Sequence, residues 1–279
     1  MRNRNVIIGL IIFLSLLCVS LVAGMIILMN KDIGFNFGLA GKMRVIDTFS
    51  IHASKIDELD FNLYSADVEI KEIEDDEITI EYYSNKDADK IISLENGHII
   101  VNEEKSRIIC VGLCFDSRRA VAYVPKDYIG SYNIETTSGD VKSNIDTINN
   151  KMDIKTTSGD IRLQNAGTVN IKTTSGDIDI RGEVNELYAN TTSGDIRISK
   201  VNNNMSIGTT SGYVSIDKLS IVDNSNISTI SGDVKIDDNN SDCYVEFSTI
   251  SGSNHIEKSN RKSDIVLKVN TISGDIRVN

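Results

Sequence analysis

The sequence predicts an all-β fold, a single-stranded parallel β-helix (β-solenoid) of about 19 residues per coil, preceded by one N-terminal transmembrane α-helix. Three observations carry this prediction. A motif ending in Ser-Gly recurs eight times, apolar residues of period two flank it on both sides, and the chain begins with a 24-residue run that holds no charge. Composition frames them: 279 residues, 40% hydrophobic and 25% charged, suit a chain of one or two domains and argue against disorder or a disulfide-dense scaffold. With 40 acidic against 29 basic residues the formal charge is -11, which argues against nucleic acid as a partner, because phosphate neutralisation needs a Lys/Arg surplus. One proline, no tryptophan and seven phenylalanines disfavour Pro-rich linkers and aromatic platforms for sugar stacking.

Residues 1–5 form a short cytoplasmic N-terminus and Val6 to Met29 the transmembrane helix. As a helix this run extends ~36 Å at ~1.5 Å per residue, enough to cross a hydrocarbon core of ~30 Å with some tilt. A cleaved signal peptide has a shorter apolar region, and Leu17 before Cys18 is too bulky for lipoprotein processing. Arg2 and Arg4 precede the helix while Lys31 is offset by Asp32, so the N-terminus stays in the cytoplasm and the rest of this single-pass protein faces the extracellular side of the cell membrane. With Arg2 and Arg4 set aside, 27 basic and 40 acidic residues leave a charge of -13 outside.

Residues 30–44 read as a juxtamembrane linker and 45–133 as an irregular N-terminal β portion of the solenoid. Phe61 to Ile70 forms a degenerate first coil with Ala66 in the glycine position. Strand-like runs follow at 78–83, 98–101 and 120–124, the last closed by Pro125, which cannot donate to a ladder. Asp75 to Glu77 and Asp237 to Asp242 read as solvated loops. Cys110 and Cys114 are spaced for a short-loop disulfide in an oxidising compartment, and Cys243 reads as a buried thiol.

The regular repeat occupies 134–279, with glycine at 139, 159, 176, 194, 212, 232, 252 and 274. Threonine stands three residues before each glycine and serine one before. An apolar residue stands five before, from Ile134 to Val269, and Val or Ile dominates two and four after. The alternation predicts two short strands per coil, with positions minus five, minus three and minus one inward, then plus two and plus four. That phase change sets the corner at Gly-Asp, where Gly supplies positive φ and Asp bonds nearby amides. The inward Thr and Ser columns are expected to pass hydroxyl hydrogen bonds from coil to coil. Stacked Asp140, Asp160, Asp177, Asp195, Asp233 and Asp275 repel one another, and relief is expected from corner amides, from Lys142, Arg162, Arg197, Lys235 and Arg277, or from bound cations. Outward at minus two stand threonines from Thr137 to Thr210 and then Ile230, Ile250 and Ile272, an apolar strip and a candidate contact surface.

Catalytic residues, cofactor-binding residues and metal ligands are all expected to be absent. His52, His98 and His255 are scattered, and no HExxH, GxSxG or P-loop motif occurs. The Thr-Thr-Ser-Gly-Asp repeats, the Ser65-Ala66-Asp67-Val68 coil, the Val124-Pro125-Lys126 step and the N-terminal anchor resemble the LiaG-like bacterial β-strand-repeat family, labelled a "putative adhesin" domain of unknown function. The resemblance implies a non-enzymatic envelope protein of Gram-positive type, linked to cell-wall stress. Its partners are then a cell-envelope or extracellular component, glycan or protein, and the membrane through the N-terminal helix. Two alternatives stand beside it, a carbohydrate-active β-helix enzyme and a self-assembling scaffold. The second follows from the last coil, which ends at Asn279 with no residues left for a cap and so offers its edge for self-association.

Overall fold

The computed structural model describes residues 42–86, 90–103 and 117–279. Residues 1–5, the apolar run 6–29 expected to cross the membrane, nearly all of the expected linker 30–44, and Cys110 and Cys114 lie outside the described residues. Among the described residues no helix is long and apolar enough to cross a membrane.

One 3-10 turn, Ala53–Lys55, interrupts a chain of strands. The first seven are β1 (Arg44–His52), β2 (Glu58–Asn62), β3 (Asp67–Ile73), β4 (Glu77–Ser84), β5 (Ile92–Glu95), β6 (His98–Asn102) and β7 (Arg118–Pro125). The repeats begin with β8 (Ser131–Glu135), β9 (Val141–Asn144), β10 (Lys151–Lys155), β11 (Ile161–Leu163), β12 (Ala166–Lys172), β13 (Ile178–Ser193) and β14 (Ile196–Ser211). They continue with β15 (Val214–Leu219), β16 (Ser225–Ser231), β17 (Val234–Asn239), β18 (Tyr244–Ser248), β19 (Asn254–Ile256), β20 (Val266–Asn270) and β21 (Ile276–Val278).

Each coil contributes one strand to each of two parallel ladders, so the fold is an all-β, solenoid-like stack. Along the first ladder Phe61, Ile134, Ile154, Ile171, Ala189, Ile207, Ile227, Val269 and Phe247 stand opposite one another in turn. The second ladder aligns Val68, Val141, Ile161, Ile178, Ile196, Val214, Val234, Ile276 and Asn254. Sixteen-residue β13 and β14 serve both ladders, one half in each. The apolar columns meet in one continuous core, where Ile134, Ile154, Ile171, Ile178 and Ile196 are wholly buried. Each such side chain stabilises the fold by roughly 2 kcal/mol on transfer from water.

Spatial order departs from chain order at both ends. At one end β18 and β19 pair only with β20 and β21, and these in turn pair with β16 and β17. The 244–256 coil is therefore outermost, and the later 266–278 coil is inserted beneath it. The expectation that the final coil forms the uncapped end is corrected: β20 and β21 are flanked on both sides. The opposite end repeats the pattern, because β6 and β7 lie outside β2 and β3. Antiparallel strands then close that end, β5 on β6, β4 on β7 and β1 on β4.

The β6–β7 coil carries a buried ion pair that no sequence motif announced. Glu103, only 2% exposed at its side chain, accepts hydrogen bonds from the backbone amides of Tyr64, Ser65 and Ala66 at 2.9, 3.0 and 3.1 Å and pairs with Arg118. Burial pushes its carboxyl up, but the amides of Ser65 and Tyr64, the Arg118 guanidinium and the Ala66 amide together hold it below the ordinary glutamate value. A lowered native pKa gives stability that is complete above the unfolded value near 4.5 and is lost as pH falls through the native value. Glu103→Gln is expected to cost about 2 kcal/mol at neutral pH and to flatten the acid limb of the stability profile. Urea unfolding of the two forms between neutral and acid pH checks both effects.

Asn239 and Ser241 correct the reading of 237–242 as a solvated loop. Asp237 and Asp238 belong to β17, while buried Ser241 accepts from the Ile221 amide at 2.8 Å and buried Asn239 from the Ser241 amide at 3.1 Å. Cys243 is a buried free thiol.

Candidate interaction surface

The polar columns of the repeat hold the corner together, and their placement differs from the alternation rule. The serine before each glycine is exposed, and the chain bends at Thr-Ser rather than at Gly-Asp. Thr, then Gly, then the plus-two and plus-four residues form the inward series. Among the described residues Gly97 is the one glycine with positive φ, so the repeat glycines serve another purpose. A Cβ on Gly159 would stand 1.8 Å from the carbonyl oxygen of Gly139, and one on Gly176 would stand 1.9 Å from that of Gly159. Consecutive corners touch backbone to backbone, which no side chain permits.

Threonine closes the same corner. Thr136, Thr156 and Thr173 accept through Oγ1 from the amides of Gly139, Gly159 and Gly176 at 3.1, 3.0 and 3.1 Å. In these three coils the expected hydroxyl chain from coil to coil is replaced by bonds within a coil, and the buried hydroxyls of Thr191, Thr209 and Thr229 make neither kind of bond. Only toward the outer end does the hydroxyl reach across, Thr271 donating to the Gly232 carbonyl and Thr249 to that of Gly274.

Aspartate links neighbouring coils. Asp67 Oδ1 accepts from the Asp140 amide at 3.0 Å, Asp140 from Asp160 at 2.9 Å, Asp160 from Asp177 at 3.1 Å, Asp177 from Asp195 at 2.8 Å and Asp195 from Tyr213 at 2.9 Å. The row resumes with Asp233 accepting from Asp275 at 2.8 Å and Asp275 from Ser253 at 2.7 Å. The Ser253 amide holds the Asp275 carboxyl below its ordinary value. The other oxygens face arginine: Arg162 lies 2.8 Å from Asp160 and 3.9 Å from Asp140, and Arg197 lies 2.5 Å from Asp195 and 3.7 Å from Asp177. Of the expected sources of relief, amides and arginines are both in use. Asp160→Asn, which keeps Oδ1, is expected to change stability little, whereas Asp160→Ala is expected to lose about 1 kcal/mol, read from the urea midpoint.

The minus-two column reaches the outer coil in the spatial order Thr210, Ile230, Ile272, Ile250. The three isoleucines are 49%, 48% and 80% exposed. Beside Ile250, Phe247 occupies the core column yet remains exposed, because no further coil covers it. This end of the stack also departs most from the repeat, with Ser253-Asn254-His255 where inner coils carry Asp and then Val or Ile. A segment folded back from residues 257–263 shields the start of β18: Ser259 Oγ accepts from the Val245 amide at 2.9 Å, and the Asn260 amide donates to the Cys243 carbonyl at 2.8 Å. Among the described residues no segment pairs with the strand edge from Phe247 onward. A second feature, a shallow groove of about 430 Å³, crosses the outer face of the first ladder and is lined by Tyr188, Asn204, Ser206, Asn226 and Lys268.

Two parallel ladders with interchangeable corners define a β-strand repeat protein. The chain belongs to the Toastrack DUF4097 family, which matches residues 56–279. That membership agrees with the LiaG-like resemblance seen in the repeats. Solved structures similar to the chain include a "putative cell adhesion protein" from Clostridium sporogenes ATCC 15579, at 11% identity and TM-score 0.36, covering 85% of this chain and 97% of that one. A "putative adhesin" from Bacteroides fragilis NCTC 9343 matches at 11% identity and TM-score 0.44 over 85% and 97% of the two chains. A "putative lipid binding protein" from Parabacteroides distasonis ATCC 8503 matches at 14% identity and TM-score 0.43 over 88% and 99%. No curated protein matches the chain.

Proposed function

We propose that the protein is a non-enzymatic binding or structural element of the bacterial cell envelope, held to the membrane by residues 6–29 and displaying residues 45–279 outside the cell. The observation that carries this reading is the use made of the repeated polar groups. Thr136, Thr156 and Thr173 close their own corners on glycine amides, while aspartates bind the next coil's amides and two arginines bridge aspartate pairs, so most of the recurring polar chemistry is spent on shaping corners and holding coils in register. What remains for partners is the outer surface. The partner on this reading is an envelope or extracellular glycan or protein, with the amide-rich groove at Tyr188 and the isoleucine strip as its two faces. The uncharged run 6–29 behind Arg2 and Arg4 supports the anchor and its orientation.

Protease treatment of intact cells, followed by membrane fractionation, tests display and anchoring. Cleavage of the repeats from outside with residues 1–5 protected is the expected result, and a protein recovered in the soluble fraction contradicts it. Deleting the gene is expected to alter adhesion or the response to cell-wall stress. Hydrolase or lyase activity of the purified chain on envelope polysaccharide would sink the non-enzymatic reading.

A further inference from the structure

We infer that the outer coil, β18 and β19, is a pairing edge for a second copy of this chain, joined end to end about a two-fold axis. This deepens the reading of a surface-displayed binding element by naming one partner.

Backbone geometry supplies the first argument. In a parallel pair alternate residues bond to one neighbour. Tyr244 donates to Ile265 and Ser248 accepts from Thr271, so the peptide groups of Val245 and Phe247 point away from β20. Ser259 answers the Val245 amide, whereas among the described residues the edge from Phe247 onward has no such cover. An open edge of this kind is a template for another strand.

Side chains supply the second. Phe247 continues the buried column of Ile227 and Val269, so the open end is a cross-section through the core. A facing copy restores to Phe247 the coil that every inner member of its column has. Ile250, at 80% exposure, adds the end of the isoleucine strip to the same contact.

Charge selects a second copy. The displayed part of the chain is strongly acidic and would repel itself at most faces, but around this end Asp242, Glu246, Glu257 and Asp264 are nearly balanced by Lys258, Arg261 and Lys262. A two-fold contact sets such a mixed rim against itself without the net repulsion that two acidic faces would carry. The opposite end does not continue the parallel ladders into head-to-tail growth, because it is built from antiparallel β5, β4 and β1. The chain also enters the stack at β1, at the edge opposite β19. End-to-end pairing therefore leaves the two points of entry apart, each about 50 Å from the contact at ~4.8 Å per strand. With the two entry points at its far ends, such a pair can join copies held on facing surfaces.

Analytical ultracentrifugation of the full chain in detergent tests the pairing. A concentration-dependent dimer is expected, with Phe247→Lys and Ile250→Lys each weakening it about tenfold or more. Ile129→Lys, a control at another exposed isoleucine, is expected to leave the dimer intact. Ile250 already faces solvent, so its variant should unfold at the same temperature as the parent and report on pairing alone. A strict monomer at all concentrations, or a dimer indifferent to both edge substitutions, overturns the inference. Vesicles carrying the full chain are expected to tether one another, and the Ile250→Lys chain is expected not to. A dimer that sediments normally without tethering would refute the anchored, facing arrangement while leaving the pairing edge in place, so the two failures can be told apart.

Discussion

Gly159→Ala is expected to destabilise the protein by about 3 kcal/mol or more, far beyond the ordinary cost of exchanging these residues in a strand. Alanine normally suits regular structure at least as well as glycine. Here its methyl carbon would fall 1.8 Å from the Gly139 carbonyl oxygen, and that oxygen belongs to backbone fixed by the ladders on either side. Relief requires two coils to move apart, which stretches hydrogen bonds in both ladders. Gly208→Ala is the matching control, since a Cβ there meets only the Asn190 side-chain amide, whose Oδ1 at 2.6 Å can rotate away. Urea unfolding should show a large loss for the first and a small one for the second. Equal effects would mean that the corners do not touch as described.

Removing residues 266–279 is expected to free far more of the chain than it deletes. Were the coils stacked in chain order, this truncation would trim the last coil and leave 244–256 on β16 and β17. In the observed order β18 and β19 have β20 and β21 as their partners, so deletion strips the outer coil of its ladders and exposes β16 and β17 as a new edge. The buried side chains of Leu267, Val269, Ile276 and Val278 are lost with the deleted residues, and Val245 and Cys243 lose their cover. Hydrogen exchange should show rapid exchange throughout 240–265 in the truncated protein and slow exchange of the β18 amides bonded to β20 in the intact one. Slow exchange persisting at 244–248 after truncation would show that the outer coil docks directly on β16.

Much of this architecture was legible in the sequence. The columns at minus five, plus two and plus four are apolar because they face a core, and side-chain alternation reads such columns directly. Alternation places the minus-one serine inward because it runs straight through a bend, where two successive residues, such as Thr157 and Ser158, both face water. The glycine was understood as a conformational need when its cause is contact with the next coil, a distinction that one coil's sequence does not hold. Order along the stack was hidden for a deeper reason. Corners that obey the same rule can follow one another in any sequence, so periodicity identifies coils without ranking them. Two local signals did point to the exchange: the 22-residue step from Gly252 to Gly274, long enough to fold back, and the loss of the repeat at Ser253-Asn254-His255, which suits a coil with solvent on one side. Glu103 was invisible because its coil is split by residues 104–117, which removes the corner motif that would have marked it.

The insertion of β20 and β21 beneath the outer coil also governs how the molecule bears tension. A strand at the margin of a sheet peels away one hydrogen bond at a time. A pull applied through Asn279 instead enters between two neighbours, with Asn279 itself bonded to Ile236 at 3.0 Å and to Asn239 at 2.9 Å. Two rows of bonds, one toward β17 and one toward β19, must then shear together. The far end differs: β2 and β3 also lie one coil inside, between β6–β7 and β8–β9, but the chain enters at β1, which pairs with β4 at the margin. The C-terminal end of the stack is therefore lashed one turn inside its margin, a construction that resists unravelling under force from that side.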